Sequence, residues 1–194
     1  DIPFVHGTSD SGLGLSYVVE DQTVAVFENG KLVIKGAGTT TVTASQAGNN
    51  VYLPAEDVTF TLTVTKAMLT VTADHNQEKR YGTEDPVLTY TATGFKYTDT
   101  EAVFSGVLAR EAGEEMGIYA ITQGTLSGGR NYDITFISAD FKIIFAELIV
   151  TANAQMKEYG EADPVFTYQV TGLLNNDTAA SVLRGTLGRV AGEN

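Results

Sequence analysis

The sequence predicts an all-β fold made of small modules in tandem, on three observations. Its apolar segments are short and rich in Val, Thr, Ile and Phe, and glycine or asparagine separates them. Within several of them apolar and polar residues alternate, as in strands with one buried face. Residues 78–94 (EKRYGTEDPVLTYTATG) recur as residues 156–172 (MKEYGEADPVFTYQVTG). The spacing from Tyr81 to Tyr159 is 159 − 81 = 78 residues, the length of one small domain.

The repeat divides the chain into three modules, which we predict at 1–66, 67–145 and 146–194. The first module differs in sequence from the other two. Its clearest turn is Asn29-Gly30, because these two residues readily adopt the positive φ angles of a type I′ hairpin. Strands are predicted in this module at 15–19, 24–28, 31–35, 39–44 and 58–65.

The second and third modules keep their apolar residues in the same phase, so we predict that both bury equivalent strand faces. In the second module these residues are Leu69, Val71, Ala73, Leu88, Tyr90 and Ala92. In the third module they are Leu148, Val150, Ala152, Phe166, Tyr168 and Val170. Further strands are predicted in the second module at 117–122, 132–138 and 141–144.

A short helical turn is predicted in each repeated module, beginning at Asp99 and at Asp177. Aspartate is a good N-cap, and Gly106 and Gly185 stand near the points where the two turns would end. No Gly/Ser-rich or Pro-rich spacer separates the last strand of one module from the first strand of the next. We therefore expect stiff junctions between the modules.

The third module is shorter than the second. Gly192-Glu193-Asn194 aligns with Gly113-Glu114-Glu115, and residues 116–145 have no counterpart after it. We expect the chain to be a segment of a longer protein that is cut at both ends. Because a bare apolar face and open strand edges are unfavourable, we expect one of two outcomes: the apolar strand face of the third module packs against another chain, or the polypeptide extends past Asn194.

The composition limits the partners and the chemistry. Twelve basic and 24 acidic residues give a net charge of −12, which repels phosphate backbones and anionic lipid, so no nucleic-acid partner is expected. No apolar run approaches the roughly 20 residues of a membrane-spanning helix, so no membrane insertion is expected. The absence of cysteine excludes thiol catalysis, disulfides and cysteine metal sites.

Several motifs of the repeated modules resemble those of bacterial MBG domains of the YGX type. The matching segments are Tyr81-Gly82-x-x-Asp85-Pro86, Thr93-Gly94, Ala112-Gly113-Glu114, residues 117–126 and Asn131-Tyr132-x-Ile134-x-Phe136. Phe95-Lys96-Tyr97-Thr98 departs from the commoner polar turn. Residues 13–66 resemble another bacterial Ig-like repeat that often precedes these domains, on residues 36–49 and Tyr52-Leu53-Pro54-Ala55.

The resemblance implies immunoglobulin-like β-sandwich modules that stand in tandem in large bacterial surface or secreted proteins. It implies a stalk or spacer whose partners are the neighbouring domains of the same protein, and an extracellular or cell-surface location. It brings no catalytic, cofactor-binding or metal-binding residues. We therefore expect no enzyme activity and no cofactor.

The residues themselves offer little catalytic chemistry. His6 and His75 lie in different modules and outside any metal-ligand spacing, so exposed loop histidines are expected. Gly12-Leu13-Gly14 and Ser127-Gly128-Gly129-Arg130 lack the βαβ context or the following helix of a phosphate loop, so turns are expected. Asp85 and Asp163 precede proline, where an extended backbone and an Asx-type turn are the ordinary explanation.

Two binding alternatives stay open. Tyr81 and Tyr159 are expected to close the ends of their sandwiches, but they could form a sugar-stacking platform with other tyrosines, at Tyr17, Tyr97 and Tyr119. Acidic residues near the junctions could hold calcium, although they form no recognisable ligand series; they are Glu56, Asp57, Glu84, Asp140 and Glu147.

The leading hypothesis from the sequence is a non-catalytic stalk. Its alternatives are an adhesin or carbohydrate-binding module with a host or glycan ligand, and accessory domains of a secreted glycoside hydrolase.

Overall fold

The computed structural model describes residues 7–192 of the 194-residue chain, and this part is almost entirely β-structure, as predicted. It contains a 3₁₀ turn at Glu101–Val103 and a short helix, α1, at Ala179–Val182. The strands are β1 (Ser16–Val19), β2 (Ala25–Glu28), β3 (Lys31–Ile34), β4 (Gly38–Ser45), β5 (Val58–Val64), β6 (Ala67–Ala73), β7 (Gln77–Arg80), β8 (Tyr90–Thr93), β9 (Ala109–Arg110), β10 (Gly117–Thr122), β11 (Tyr132–Ile137), β12 (Asp140–Ile144), β13 (Ile149–Ala152) and β14 (Tyr168–Thr171).

The chain forms two compact units. Within the described residues, the first unit comprises 7–73, 90–108 and 123–137, and the second comprises 74–89, 109–122 and 138–192. Each unit contains part of the predicted second module. The division into three modules stays a prediction.

In the first unit, the N-terminal residues form a three-stranded antiparallel sheet of order β1-β4-β5 and the hairpin β2–β3. The predicted turn of this hairpin is confirmed, since Asn29 and Gly30 have φ angles of 50° and 72°. A core of Val19, Ala25 and Val42 lies beneath the strands. Burial of these alternate apolar residues is what holds such short strands together.

The first unit also holds the sheet β11-β6-β8, in which β6 is central. Leu69, Val71 and Ala73 of β6 are fully buried, which confirms the predicted face of this strand. β8 pairs with β6 in the antiparallel sense, and β11 pairs with it in the parallel sense. The first strand of the predicted second module therefore runs alongside a late strand of the same module.

The second unit contains the sheet β7-β12-β10-β9 and the two-stranded sheet β13–β14. Ile121, Phe141 and Ile143 form its buried apolar centre. β7 and β12 are again a parallel pair, while β10 is antiparallel to both of its neighbours.

The two copies of the repeat are the predicted second module, 67–145, and the predicted third module, 146–194. Both copies pair their strands in the same register. Tyr90 lies opposite Ala73 in β8–β6, and Tyr168 lies opposite Ala152 in β14–β13, so the two tyrosines occupy equivalent faces as predicted. The predicted burial is confirmed for β6 of the first copy, whereas Leu88, Tyr90 and Ala92 of the same copy are half-buried. In the second copy Leu148, Val150 and Tyr168 are 37%, 43% and 40% exposed.

The two helical turns are present, but the predicted caps are wrong. Thr100 and Thr178, one residue later in each case, are the N-caps, because their side chains accept hydrogen bonds from backbone N–H groups of the first turn. Asp99 has another partner: its carboxylate accepts a 2.6 Å hydrogen bond from the buried Tyr132 hydroxyl. In the second copy Thr178 and Ser181 form a reciprocal capping box.

Two short strands were not predicted, β7 (sequence QEKR) and β9 (sequence AR). Neither has the apolar alternation that identifies a strand. Each instead carries a buried cation, Lys79 on β7 and Arg110 on β9, with side chains 4% and 6% exposed. Ionic contacts fix these strands in place.

Candidate functional site

Four charged side chains of the second unit form one ion-pair cluster: Lys79, Asp85, Arg110 and Glu114. The Asp85 carboxylate accepts two hydrogen bonds from the Arg110 guanidinium, of 2.7 Å from Nε and 2.9 Å from Nη2. Lys79 Nζ lies 2.7 Å from Asp85 Oδ1, and Glu114 accepts from both cations. Two cations and two carboxylates thus neutralise one another in short, charge-assisted bonds.

Burial in this cluster is unequal. The side chains of the cations Lys79 and Arg110 are almost fully buried, whereas those of Asp85 and Glu114 are 40% and 61% exposed. The Arg110 guanidinium also lies 5.3 Å from the ring centres of Tyr119 and Phe141. Buried cations are costly unless they are paired, so the carboxylates compensate for the desolvation of the two cations.

The protonation states follow from these contacts. The Arg110 hydrogen bonds, together with that of Lys79, hold the pKa of the Asp85 carboxyl below its ordinary value. Lys79 and Arg110 likewise lower the pKa of Glu114. Burial lowers the pKa of Lys79, but its bonds to Asp85 and Glu114 outweigh that effect and leave this pKa above its ordinary value. All four groups are therefore charged at neutral pH, and none is poised as a general acid or base there.

The second copy rebuilds the same arrangement around Asp163. Lys157 Nζ lies 2.9 Å from Asp163 Oδ1, and Arg189 Nε lies 2.8 Å from Asp163 Oδ2. Arg189 donates to the Gly192 carbonyl just as Arg110 donates to the Gly113 carbonyl. The cations are less buried here, with side chains 24% and 34% exposed for Lys157 and Arg189.

The predicted explanation of Asp85 and Asp163 as turn residues before proline was incomplete. Each carboxylate makes ion pairs with two cations, which sequence reasoning did not identify. A signal was nevertheless present. Lysine recurs at 79 and 157, which is the 78-residue spacing of the Tyr-Gly turns, and arginine recurs at 110 and 189, which is 189 − 110 = 79 residues and matches the spacing from Gly113 to Gly192. Charged residues that recur with the motif aspartate are candidates for its partners.

The cluster links four separate pieces of the chain. Lys79 lies on β7, Asp85 on the segment that follows it, Arg110 on β9, and Glu114 in the loop that precedes β10. Arg110 additionally donates to the carbonyls of Glu111 and Gly113. This arrangement joins the two edge strands of the sheet, β7 and β9, to the loops that follow β7 and precede β10; the cluster contains no activated nucleophile and no free acid–base pair.

A second feature of this unit is the Tyr81-Gly82 turn, which follows β7. The Leu174 side chain packs directly on Gly82: a Cβ atom at this glycine would lie 2.7 Å from both Cβ and Cδ1 of Leu174. Beside this contact is a cavity of about 310 Å³ with mainly apolar walls, lined by Tyr81, Met116, Phe145, Leu148, Leu174 and Val182 among others. The motif turn of the first copy therefore contacts the loop that follows β14 in the second copy.

The tyrosines differ in their surroundings. Tyr81 is half-buried at the cavity, but Tyr159 is 95% exposed, so the prediction that both close the end of a sandwich does not hold for Tyr159. Tyr119 donates to the Glu115 carbonyl and stacks with Arg110. The rings of Tyr17 and Phe27 pack together with their planes tilted by 37° and their centres 4.7 Å apart. Tyr97 is 96% exposed.

The other sequence candidates are the histidines and the glycine-rich turns. His75 is exposed, and His6 lies outside the described residues. Gly12 follows a turn with φ of 70°, and Gly129 has φ of 68° in the turn before Arg130, whose guanidinium donates to the Ala37 carbonyl. Among residues 7–192, no group of three or more His, Asp or Glu side chains is arranged to hold a metal ion.

Comparison with known proteins gives one match. The family model of the MBG domain (YGX type) matches residues 69–142 and 148–194, so each matched segment contains one Tyr-Gly turn and one motif aspartate with its lysine and arginine. No curated protein and no solved structure matches the chain. The described part contains no helix long and apolar enough to cross a membrane.

Proposed function

Because the chain belongs to the MBG domain (YGX type) family, we propose that it is a non-catalytic spacer of a larger bacterial surface or secreted protein, and that it carries tension along the polypeptide. Its partners are then the domains before and after it in the same protein, and its location is extracellular. Folded modules in series hold a distal domain away from the cell only if they stay folded under load.

One observation carries this proposal: the first two strands of the first copy, β6 and β7, are parallel neighbours of its last two strands, β11 and β12. β6 and β11 pair in register from Ala67↔Tyr132 to Thr72↔Ile137. β7 and β12, the next strand on each side, pair from Gln77↔Phe141 to Arg80↔Ile144. An N-terminal run of chain, residues 67–80, is thus hydrogen-bonded to a C-terminal run, residues 132–144, in two parallel ladders.

The parallel direction of the paired strands determines how a pulling force loads the hydrogen bonds of these ladders. Tension draws residue 67 toward the N-terminus of the protein and residue 144 toward the C-terminus. In a parallel pair the two pulls act in opposite directions along the strands, so the hydrogen bonds of a ladder are loaded together. An antiparallel hairpin pulled at its open end loses its bonds one at a time. Forced unfolding is governed by the unfolding rate, and simultaneous loading keeps that rate low.

A proline in one ladder tests this proposal. The N–H of Ala67 donates to the Asn131 carbonyl at 2.9 Å, which sets the phase of the β6–β11 ladder and makes the N–H of Thr135 a ladder donor. Thr135 is exposed, so Thr135→Pro removes this donor and leaves the core side chains unchanged. We expect the variant to unfold at lower force than the parent chain when single molecules are pulled by their ends.

Thr91→Pro is the matched control. Thr91 is also exposed, and it pairs with the other edge of β6 in an antiparallel ladder. Both variants weaken equilibrium stability, but only Thr135→Pro interrupts a ladder between the N-terminal and C-terminal runs. The proposal requires the larger loss of unfolding force in Thr135→Pro. Equal losses, or a larger one in Thr91→Pro, would show that the parallel ladders do not carry the load.

A further inference from the structure

The two Tyr-Gly turns of the repeat have the same backbone but different surroundings. Gly82 and Gly160 have φ angles of 79° and 86°. At Gly82 the side chain of Leu174 fills the space where a Cβ would stand, whereas at Gly160 no atom lies within 4 Å of that position. Tyr81 is half-buried, and its counterpart Tyr159 is 95% exposed. The same surface is occupied in one copy and open in the other.

The occupant of the first surface comes from the next copy of the repeat. Leu174 lies in the loop that follows β14 and Gly172, and it lines the apolar cavity beside Tyr81 together with Leu148 and Val182 of the second copy. The two copies therefore meet around this cavity, which Tyr81, Met116 and Phe145 of the earlier copy line together with the loop after β14 of the later copy.

The equivalent loop of the first copy also lines a cavity together with residues that precede its own copy. Lys96 and Tyr97, which follow β8 and Gly94, line a cavity of about 400 Å³ in the first unit together with Ile34, Gly36 and Ala37. In both copies, then, the loop after the Thr-Gly pair borders a cavity that earlier residues of the chain also line.

We propose that Tyr159-Gly160 is a docking surface for the corresponding loop of a further MBG-type repeat that follows in tandem, with a leucine at the position of Leu174. Glycine at 160 leaves room for that side chain, and the exposed Tyr159 ring supplies the apolar wall that Tyr81 supplies in the first copy. This inference deepens the proposed spacer role and rests on it. The proline test concerns ladders that include neither Tyr159 nor Leu174, so the two proposals can fail separately.

The test extends the full chain with its own sequence. Residues 116–194 are appended after Asn194, which completes the second copy and adds another leucine loop. Nitration of tyrosine by tetranitromethane, followed by mass spectrometry, reports the accessibility of each ring. In the 194-residue chain we expect Tyr159 to be nitrated faster than Tyr81. In the extended chain the rate at Tyr159 should fall to that of Tyr81, and Leu→Asp at the appended counterpart of Leu174 should restore fast nitration.

Two results overturn the proposal. One is fast nitration of Tyr159 in an extended chain whose appended strands show slow amide exchange and are therefore folded. The other is protection that persists in the Leu→Asp variant. If the appended segment does not fold, the 194-residue chain decides the question: a synthetic peptide of residues 171–178 at millimolar concentration should shift the Gly160 amide resonance and spare that of Gly82. The proposal is refuted if the peptide leaves the Gly160 amide resonance unshifted. It is also refuted if a peptide with Asp in place of Leu174 shifts that resonance equally.

Discussion

At the level of single residues, Asp85 is the anion that two buried cations share. Its carboxylate binds Lys79 with one oxygen and Arg110 with both. Glu114 contacts the same two cations, but its side chain is 61% exposed, whereas that of Asp85 is 40% exposed. We infer that Asp85 contributes more than Glu114 to the stability of this sheet, because a less hydrated carboxylate is less screened.

Replacing Asp85 by Asn tests this inference. The change leaves Lys79 and Arg110 buried with one carboxylate in place of two, so the free energy of unfolding at pH 7 should fall by about 2 kcal/mol, below the value for a fully buried pair because Asp85 is partly solvated. The folded state depresses the pKa of Asp85 below its ordinary 3.8, so this stabilisation is present above pH 3.8. It is lost as the pH falls through the lower folded value. Urea unfolding followed by the NMR signals of β12 measures both effects.

Asp163→Asn is the control for this prediction. It breaks the equivalent pairs in the second copy, where Lys157 and Arg189 are more exposed, so the loss of stability should be smaller. The inference is wrong if the two variants lose the same stability. It is also wrong if the difference between Asp85→Asn and the parent chain persists unchanged at the lowest pH at which both still fold.

At the level of elements, the Tyr-Gly turn serves two purposes in the first copy and one in the second. Both glycines occupy the left-handed region of backbone space, which any L side chain disfavours. Gly82 additionally admits Leu174. The turn is thus both the end of β7 and a part of the contact between the two copies.

Substituting alanine for Gly82 and for Gly160 separates the cost of the φ angle from the cost of displacing Leu174. Gly160→Ala should cost about 1 kcal/mol from its φ angle alone. Gly82→Ala should cost that amount and about 1–3 kcal/mol more, since Leu174 must move to relieve a contact of 2.7 Å at its own Cβ. Thermal unfolding of both variants against the parent chain checks the order. Equal costs would mean that Leu174 leaves Gly82 freely and that the packing at this turn adds no stability.

Several elements were predictable because local chemistry defines them. The β2–β3 hairpin follows from Asn29-Gly30, and the buried face of β6 follows from Leu69, Val71 and Ala73. β7 was not predictable in this way, because its buried residue is a lysine. Lys79 can be buried only with Asp85 and with Glu114, which lies 35 residues away in sequence. The predicted cap at Asp99 was wrong for a similar reason, since the distant Tyr132 engages its carboxylate.

At the scale of the whole molecule, the tandem repeat and the parallel ladders point to the same role. The repeat was visible in the sequence from Tyr81-Gly82 and Tyr159-Gly160. The parallel pairing was not, because strand alternation identifies which face is buried but not which strands are neighbours. The alignment of β6 with β11 and of β7 with β12 emerges only in the folded chain. These pairings are the basis of the central claim that the protein resists tension.

The direction of pulling tests that claim most directly. Handles at the two chain ends load the β6–β11 ladder along its strands. The exposed side chains of Lys66 and Asp133 form an ion pair, with Nζ 3.1 Å from Oδ1, at one end of the same ladder. Handles on cysteines introduced at these two positions instead separate the two strands from that end. The folded protein is otherwise identical in the two geometries. We predict a clearly higher unfolding force for the first copy when the chain ends are pulled; an equal or lower force in that geometry would contradict the account.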